Sequence, residues 1–189
     1  MTVLTESFVL KKKLRGESDR HYVLFTKELG KINVLAKGAA KITSKLAPHL
    51  EFFSLSEVML APGAIGYRLA GAKIKTAYKN LNRNLFKSVL TNVFLELVDL
   101  LLIEKAAEEK IFLLVEDFFD GLEVSSSGRQ SVIIFNKSLF GLLSISGYEP
   151  PLSVSSQTEL SIKMVESVQE ISNKRLMSLP ALKRILISA

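Results

Sequence analysis

The sequence contains no cysteine and no tryptophan, and its only histidines are His21 and His49. Without thiols it has neither disulfides nor a thiolate metal site, which fits a reducing compartment. Two imidazoles are too few for a histidine-rich metal centre, so no metal and no cofactor is expected. The first residues, MTVLTESFVLKKK, lack the long apolar core of a secretory signal. The most apolar long stretch, Val89 to Ile103, is interrupted by Glu96 and Asp99, too costly for a bilayer span. The expectation is a soluble, cytoplasmic chain with no membrane partner. There is no internal repeat and no low-complexity segment. Ala61 to Gly71 lacks the closing Gly-Lys-Ser/Thr of a phosphate-binding P-loop, and no nucleophile–base pair can be placed.

What is present is apolar and unevenly charged. Hydrophobic residues make up 48% of the 189 positions, ample for one large domain or two small ones. Residues 1–80 carry 14 Lys and Arg against 6 Asp and Glu, a net of +8, whereas residues 81–189 carry 11 against 13, a net of −2. A basic front half joined to a near-neutral rear half points to a module that meets a polyanion. Charge alone leaves nucleic acid and an acidic membrane surface both open.

The basic half has the texture of short strands. Thr5 to Leu14 reads as the first, with Phe8 and Leu10 on one face and Ser7 and Val9 on the other. Gly16-Glu17-Ser18-Asp19 has turn composition, and Arg20 to Thr26 alternates as a second strand. Glu28-Leu29-Gly30-Lys31 is a tight turn in which Gly30 supplies a positive φ, and Ile32 to Ala36 follows as a third strand. Glu51 to Leu60 and Tyr67 to Tyr78 complete five, divided at Pro62-Gly63. Five short strands linked by turns predict a small closed β-barrel.

From Asn82 the period changes. Leu85, Phe86, Val89, Leu90, Val93, Phe94, Leu97, Leu101 and Leu102 recur at three- and four-residue steps, the mark of a long amphipathic helix. Ala106 to Leu122, Arg129 to Ile145 and Gln157 to Ser172 repeat the pattern, and Pro180 suits the first turn of a short last helix. Gly147-Tyr148-Glu149-Pro150-Pro151 stops the third of these helices. The expected architecture is α+β with segregated halves, residues 1–80 and 81–189.

Between the third and fourth strands, Lys37-Gly38-Ala39-Ala40-Lys41 and Ser44-Lys45 place three lysines on a segment without an acidic residue. Small residues beside lysines let a backbone approach a phosphate while ammonium groups neutralise it. A plain solvated loop has the same composition. Lys11, Lys12, Lys13, Arg15 and Arg20 add cations on the first two strands, where alternation sends neighbours to opposite faces.

The stretch FVLKKKLRGESDRHYVLFTKELGKINVLAKGAAK, followed by Ser44 and by Leu50-Glu51-Phe52-Phe53, resembles the RecO recombination-mediator family. Its most specific pieces are Gly16-Glu17-Ser18-Asp19, Phe25-Thr26, Leu29-Gly30-Lys31 and Ala36-Lys37-Gly38-Ala39. The rear half matches more loosely, through Gly147-Tyr148-Glu149-Pro150-Pro151-Leu152 and Leu176-Met177-Ser178. The resemblance implies an OB-fold barrel followed by an all-α domain. It further implies binding of single- and double-stranded DNA, strand annealing, and loading of RecA, together with RecR, onto DNA covered by single-strand-binding protein. Under that reading the DNA-binding candidates are Lys11, Lys13, Arg15, Arg20, Lys37, Lys41 and Lys45, with Tyr22 or Phe52 available to stack on a base unless they serve as core. Arg129 and Lys137 are candidates for gripping the acidic tail of single-strand-binding protein, or are solvated helix charges. Two departures stand out. Many relatives carry a four-cysteine zinc site after the Gly-Tyr-x-Pro stretch, whereas Ser153 to Gln157 and the rest of this chain offer no cysteine. The family often has Arg directly after Gly-Ala in the basic loop, where this chain has Ala40 and then Lys41.

A nuclease reading would rest on Glu116, Asp117, Asp120 and Glu123 holding a magnesium ion. They alternate with Leu114, Val115, Phe118, Phe119 and Leu122, the pattern of a polar face opposite a buried one, so no catalysis is expected. The other alternative is a non-catalytic scaffold whose basic barrel binds a protein partner or an acidic membrane surface.

Overall fold

The structure, a computed structural model, describes residues 1–63, 66–150 and 155–187. Pro151 and Leu152 of the Gly-Tyr-x-Pro stretch, and Ser153 and Val154 beyond it, lie outside the described residues, as do Ala64 and Ile65. The chain divides into two compact units: Met1–Ala77 with Leu102–Phe112, and Tyr78–Leu101 with the residues from Leu113 onward.

In the first unit β1 (Val3–Arg15), β2 (Asp19–Thr26), β3 (Gly30–Ala36), β4 (Ser54–Pro62) and β5 (Tyr67–Ala77) close into a barrel in the order β1-β2-β3-β5-β4. Every pairing is antiparallel except that of β3 with β5, which run parallel through Val34–Tyr67 and Leu35–Arg68. This is the five-stranded OB-type barrel expected from the sequence, and a helical region follows it. Period-two alternation is plainest in β3. Ile32, Val34 and Ala36 turn inward to join Val9, Tyr22, Leu24, Val58 and Leu60 in the barrel core, while Lys31, Asn33 and Leu35 are half-buried on the outer face.

β1 departs from the expected alternation, since Ser7, Phe8, Val9 and Leu10 are all buried. One cause is cover on the outer face: the Phe112 ring lies 5.4 Å from that of Phe8 and 5.5 Å from that of Phe25. The second cause is a bulge. Val9 pairs with Leu24 but Lys11 pairs with Val23, so Leu10 is an extra residue in β1. The bulge re-phases the rest of the strand. Lys11, Lys13 and Arg15 share the outer face with Val23 and His21, whereas Lys12 stands opposite Tyr22 on the other face.

Phe112 belongs to a stretch that rejoins the barrel after the chain has left it. The Lys105 N–H donates to the Lys31 carbonyl at 2.9 Å, and the Asn33 amide donates to the Glu104 carboxylate at 3.0 Å. The Ala106 carbonyl crosses Gly30, whose φ is 66° and where any Cβ would collide with that oxygen. Gly30 therefore meets two demands at once, the left-handed turn and the close crossing.

The second unit contains α1 (Lys79–Arg83), α2 (Leu85–Leu101), most of α3 (Glu109–Val124), α4 (Gly128–Ile145), α5 (Gln157–Ser172) and α6 (Leu179–Ile187). The single helix expected from Asn82 is broken at Asn84, which is extended (φ −107°, ψ 112°). Its Oδ1 accepts from the Lys87 N–H at 3.1 Å, capping α2. Likewise α3 starts at Glu109 rather than Ala106, because the preceding residues are engaged along β3. Ser127 and Ser156 cap α4 and α5, with Gln130 and Glu159 reaching back to the N–H groups of Ser126 and Ser155. α4 ends in a Schellman turn. Gly147 has φ 81°, Tyr148 N donates to Leu143 O at 2.9 Å, and Gly147 N donates to Ser144 O at 3.1 Å. Phe94, Phe118, Phe119 and Phe135 fill the helical core, the closest rings being Phe94 and Phe118 at 4.2 Å. Among the described residues no helix is long and apolar enough to cross a membrane.

Candidate nucleic-acid interface

The outer face of β1 after the bulge is a row of cations at alternate positions, Lys11, Lys13 and Arg15, all exposed. Across β2 and β3 the same face continues through His21 and Leu35, and the parallel pairing of Leu35 with Arg68 brings β5 onto it. Arg68 was not singled out from the sequence, because only the β3–β5 register distinguishes it from Lys73 and Lys75. Its stem lies across Gly63, where a Cβ would stand 2.9 Å from Arg68 Cγ.

The loop after β3 is held, not slack. Gly38, at φ 67° with open space where a Cβ would stand, turns the chain so that its N–H donates to Asp19 Oδ1 at 2.8 Å. The Ala40 N–H donates to the Ser18 carbonyl at 2.8 Å. Between these two bonds Ala39 is 1% exposed and joins the barrel core. The Ser44 hydroxyl then accepts from the N–H groups of Leu46 and Ala47, both at 3.3 Å. The small residues of this loop thus serve its packing and its turn. The loop is clamped to the β1–β2 turn that Arg15 leads into, and Lys37, Lys41 and Lys45 remain exposed.

Charge pairing sorts the cations further. Lys13, Arg15, Lys37, Lys41 and Lys45 make no ion pair among the described residues. Lys12 is engaged, its Nζ 2.6 Å from Glu51 Oε2 and 4.9 Å from the centre of the Phe52 ring. Arg20 does not share the outer face. It stands opposite Leu14 and Ala36 and helps line a cleft of about 310 Å³ with Lys12, Lys13 and Glu51. Tyr22 is core, wholly buried and so unavailable to stack on a base; burial pushes its phenol pKa up against the pull of the Arg20 guanidinium.

In the helical unit Arg129 and Lys137 are both exposed on α4, on a stripe with the exposed Ile133 and Phe140 at four-, four- and three-residue steps. Of the acidic residues of α3, Glu123 has structural employment. The Glu123 carboxylate accepts from the N–H groups of Asn80 and Leu81 at 3.0 and 3.2 Å, capping α1. Among the described residues no group of three or more His, Asp or Glu is placed to hold a metal ion.

The barrel and its cationic face coincide with a known domain: the family model described as "Recombination protein O N terminal" matches residues 1–78, all five strands. A DNA repair protein RecO from Dehalococcoides mccartyi is 33% identical over 148 residues, covering 78% of this chain and 57% of that one. The chain belongs to the RecO family. A RecO from Alkaliphilus metalliredigens is 34% identical over 112 residues, 59% of this chain and 46% of its own length. One from a Cyanothece species is 30% identical over 141 residues, 75% and 48% respectively. The chain therefore spans about half the length of the RecO relatives it matches. Both arms of the clamp, Ser18-Asp19 and Gly38-Ala39-Ala40, fall inside the matched domain.

Proposed function

We propose that this chain is a DNA-binding recombination mediator of the RecO kind, non-catalytic, acting in the cytoplasm. Residues 1–80 would form its DNA-binding part and residues 81–189 its protein-binding part. The observation that carries the reading is the set of exposed cations without ion pairs among the described residues, Lys13, Arg15, Lys37, Lys41 and Lys45, presented on one strand end and the loop clamped beside it. Lys11 extends the row, and Arg20 borders the neighbouring cleft. Cations of this kind read phosphates rather than bases, so binding is weakly dependent on sequence and accepts single or double strands. Neutralising two strands at once favours annealing. The named relatives are DNA repair proteins, and their repair role extends to this chain as handover of DNA from single-strand-binding protein to RecA, in company with RecR. Arg129 and Lys137, alternating along α4 with exposed Ile133 and Phe140, offer charge and apolar surface to the acidic tail of single-strand-binding protein.

The test is fluorescence anisotropy of a labelled random-sequence oligonucleotide over a range of salt concentrations. Wild-type affinity should fall steeply with salt. Changing Lys37, Lys41 and Lys45 together to Glu should lower affinity by at least about 100-fold at low salt and flatten the salt slope by about 2. No binding by the wild type at low salt refutes the proposal and leaves a scaffold role for the barrel.

A further inference from the structure

We infer that Asp19, an acidic residue beside the cationic face, is a positioning residue for the phosphate contact. The inference rests on the DNA-binding reading above. A carboxylate beside a phosphate-binding patch is at first sight a liability, since it repels the ligand. It is also the register partner of Arg15, yet Arg15 makes no ion pair with it. The carboxylate is used otherwise. Oδ1 accepts from the Gly38 N–H at 2.8 Å and from the Ser18 hydroxyl at 3.4 Å. Gly38 lies between Lys37 and Lys41, and the neighbouring bond from Ala40 N to Ser18 O secures the far side of the same turn.

The clamp fixes where the loop backbone runs and therefore where the Lys37 and Lys41 stems begin. The barrel core holds the loop at Ala39, but one buried methyl group does not set the direction of the flanking residues. Gly38 makes the arrangement available: its left-handed φ points the N–H at β2, and nothing lies where a Cβ would stand. Asp19 thus cancels part of the patch's charge but holds two lysines in one presentation, and the second effect is the greater.

The two effects have opposite signs, which makes them separable. Asp19→Ala removes both the charge and the acceptor. Asp19→Asn removes the charge and keeps a carbonyl oxygen to accept from Gly38 N. If Asp19 positions the loop, Asp19→Ala should weaken oligonucleotide binding by about fivefold to tenfold, although it makes the protein more positive. Asp19→Asn should bind at least as tightly as the wild type. Gly38→Ala alters only the backbone preference, with no charge change and no collision, and should reproduce the Asp19→Ala loss. Amide hydrogen exchange supplies a readout independent of DNA: the Gly38 amide should be protected in the wild type and in Asp19→Asn, and exposed in Asp19→Ala. Binding by Asp19→Ala equal to or tighter than wild type overturns the positioning role and leaves DNA binding intact. A wild type that binds no DNA while its Gly38 amide is protected overturns the functional reading instead and leaves the clamp as a purely structural bond.

Discussion

The two outer surfaces of the barrel use the same residue types to opposite ends. On the β1–β4–β5 side, Lys75 pairs with Glu6, Glu6 stands opposite Glu57, and Glu57 stands opposite Lys73. Lysine and glutamate there cancel one another. Beyond the bulge in β1 and along the clamped loop, Lys13, Arg15, Lys37, Lys41 and Lys45 have no such partners among the described residues. Exposed ion pairs contribute between nothing and about 1 kcal/mol to stability, so the difference matters little for folding. It matters for the field outside the protein, which is quenched on one side and left to project from the other. A count of lysines sees no difference between the two surfaces; only the register of the strands does.

Both surfaces rest on one barrel, and the change that removes both together is loss of Phe112. Phe112→Ala uncovers Phe8 and Phe25 and should cost about 3–5 kcal/mol, measured by urea denaturation. A loss below about 1 kcal/mol would mean that the rejoining stretch is not part of the barrel's support. A matched pair of double variants comes next. Lys13→Ala with Arg15→Ala, and Lys73→Ala with Lys75→Ala, change net charge equally. The first pair should lose about tenfold or more in oligonucleotide affinity at low salt, and the second should stay within about twofold. Equal losses would erase the distinction between the surfaces. The smallest effect concerns a paired charge on α5. Lys163 and then the Ser155 side chain and N–H hold the Glu159 carboxyl at about 2, below its ordinary value of 4.5. A depressed carboxylate stabilises the fold above its unfolded pKa and loses that contribution as pH falls from about 4.5 to about 2. Thermal melts of wild type and Glu159→Gln should therefore differ slightly near neutral pH and converge towards pH 2, with DNA binding unaffected.

Much of the fold was legible because it rests on local chemistry. The alternation of Ile32, Val34 and Ala36, the turn at Gly30 and the helical period of Gln157–Ser172 are each set by residues close to one another along the chain. What escaped were events that depend on distant chain. The bulge at Leu10 is invisible without β2 beside it, and it decides which lysines face outward. Burial of Phe8 on the outer face needs Phe112, roughly a hundred residues away. The break at Asn84 did carry a local sign, an Asn placed to cap Lys87, but the apolar period on either side outweighed it. For the candidate site the cations were visible and their partners were not. Neither the Lys12–Glu51 pair, nor Arg68 beside Leu35, nor the bond from Gly38 to Asp19 has a signature in composition or spacing.

The rejoining stretch also bears on how the protein is made. Synthesis runs from the N-terminus, and the five strands emerge before any of Leu102–Phe112 does. Until that stretch has left the ribosome, the outward rings of Phe8 and Phe25 lack the cover of Phe112 and the Gly30 turn lacks the crossing at Ala106. A nascent chain stalled within α2 would display an aromatic patch beside a strongly cationic one, an attractive surface for a chaperone and a hazard on a crowded polysome. The helices of α1 and α2 are thus also a delay, a length of translation that separates the barrel from its own last piece.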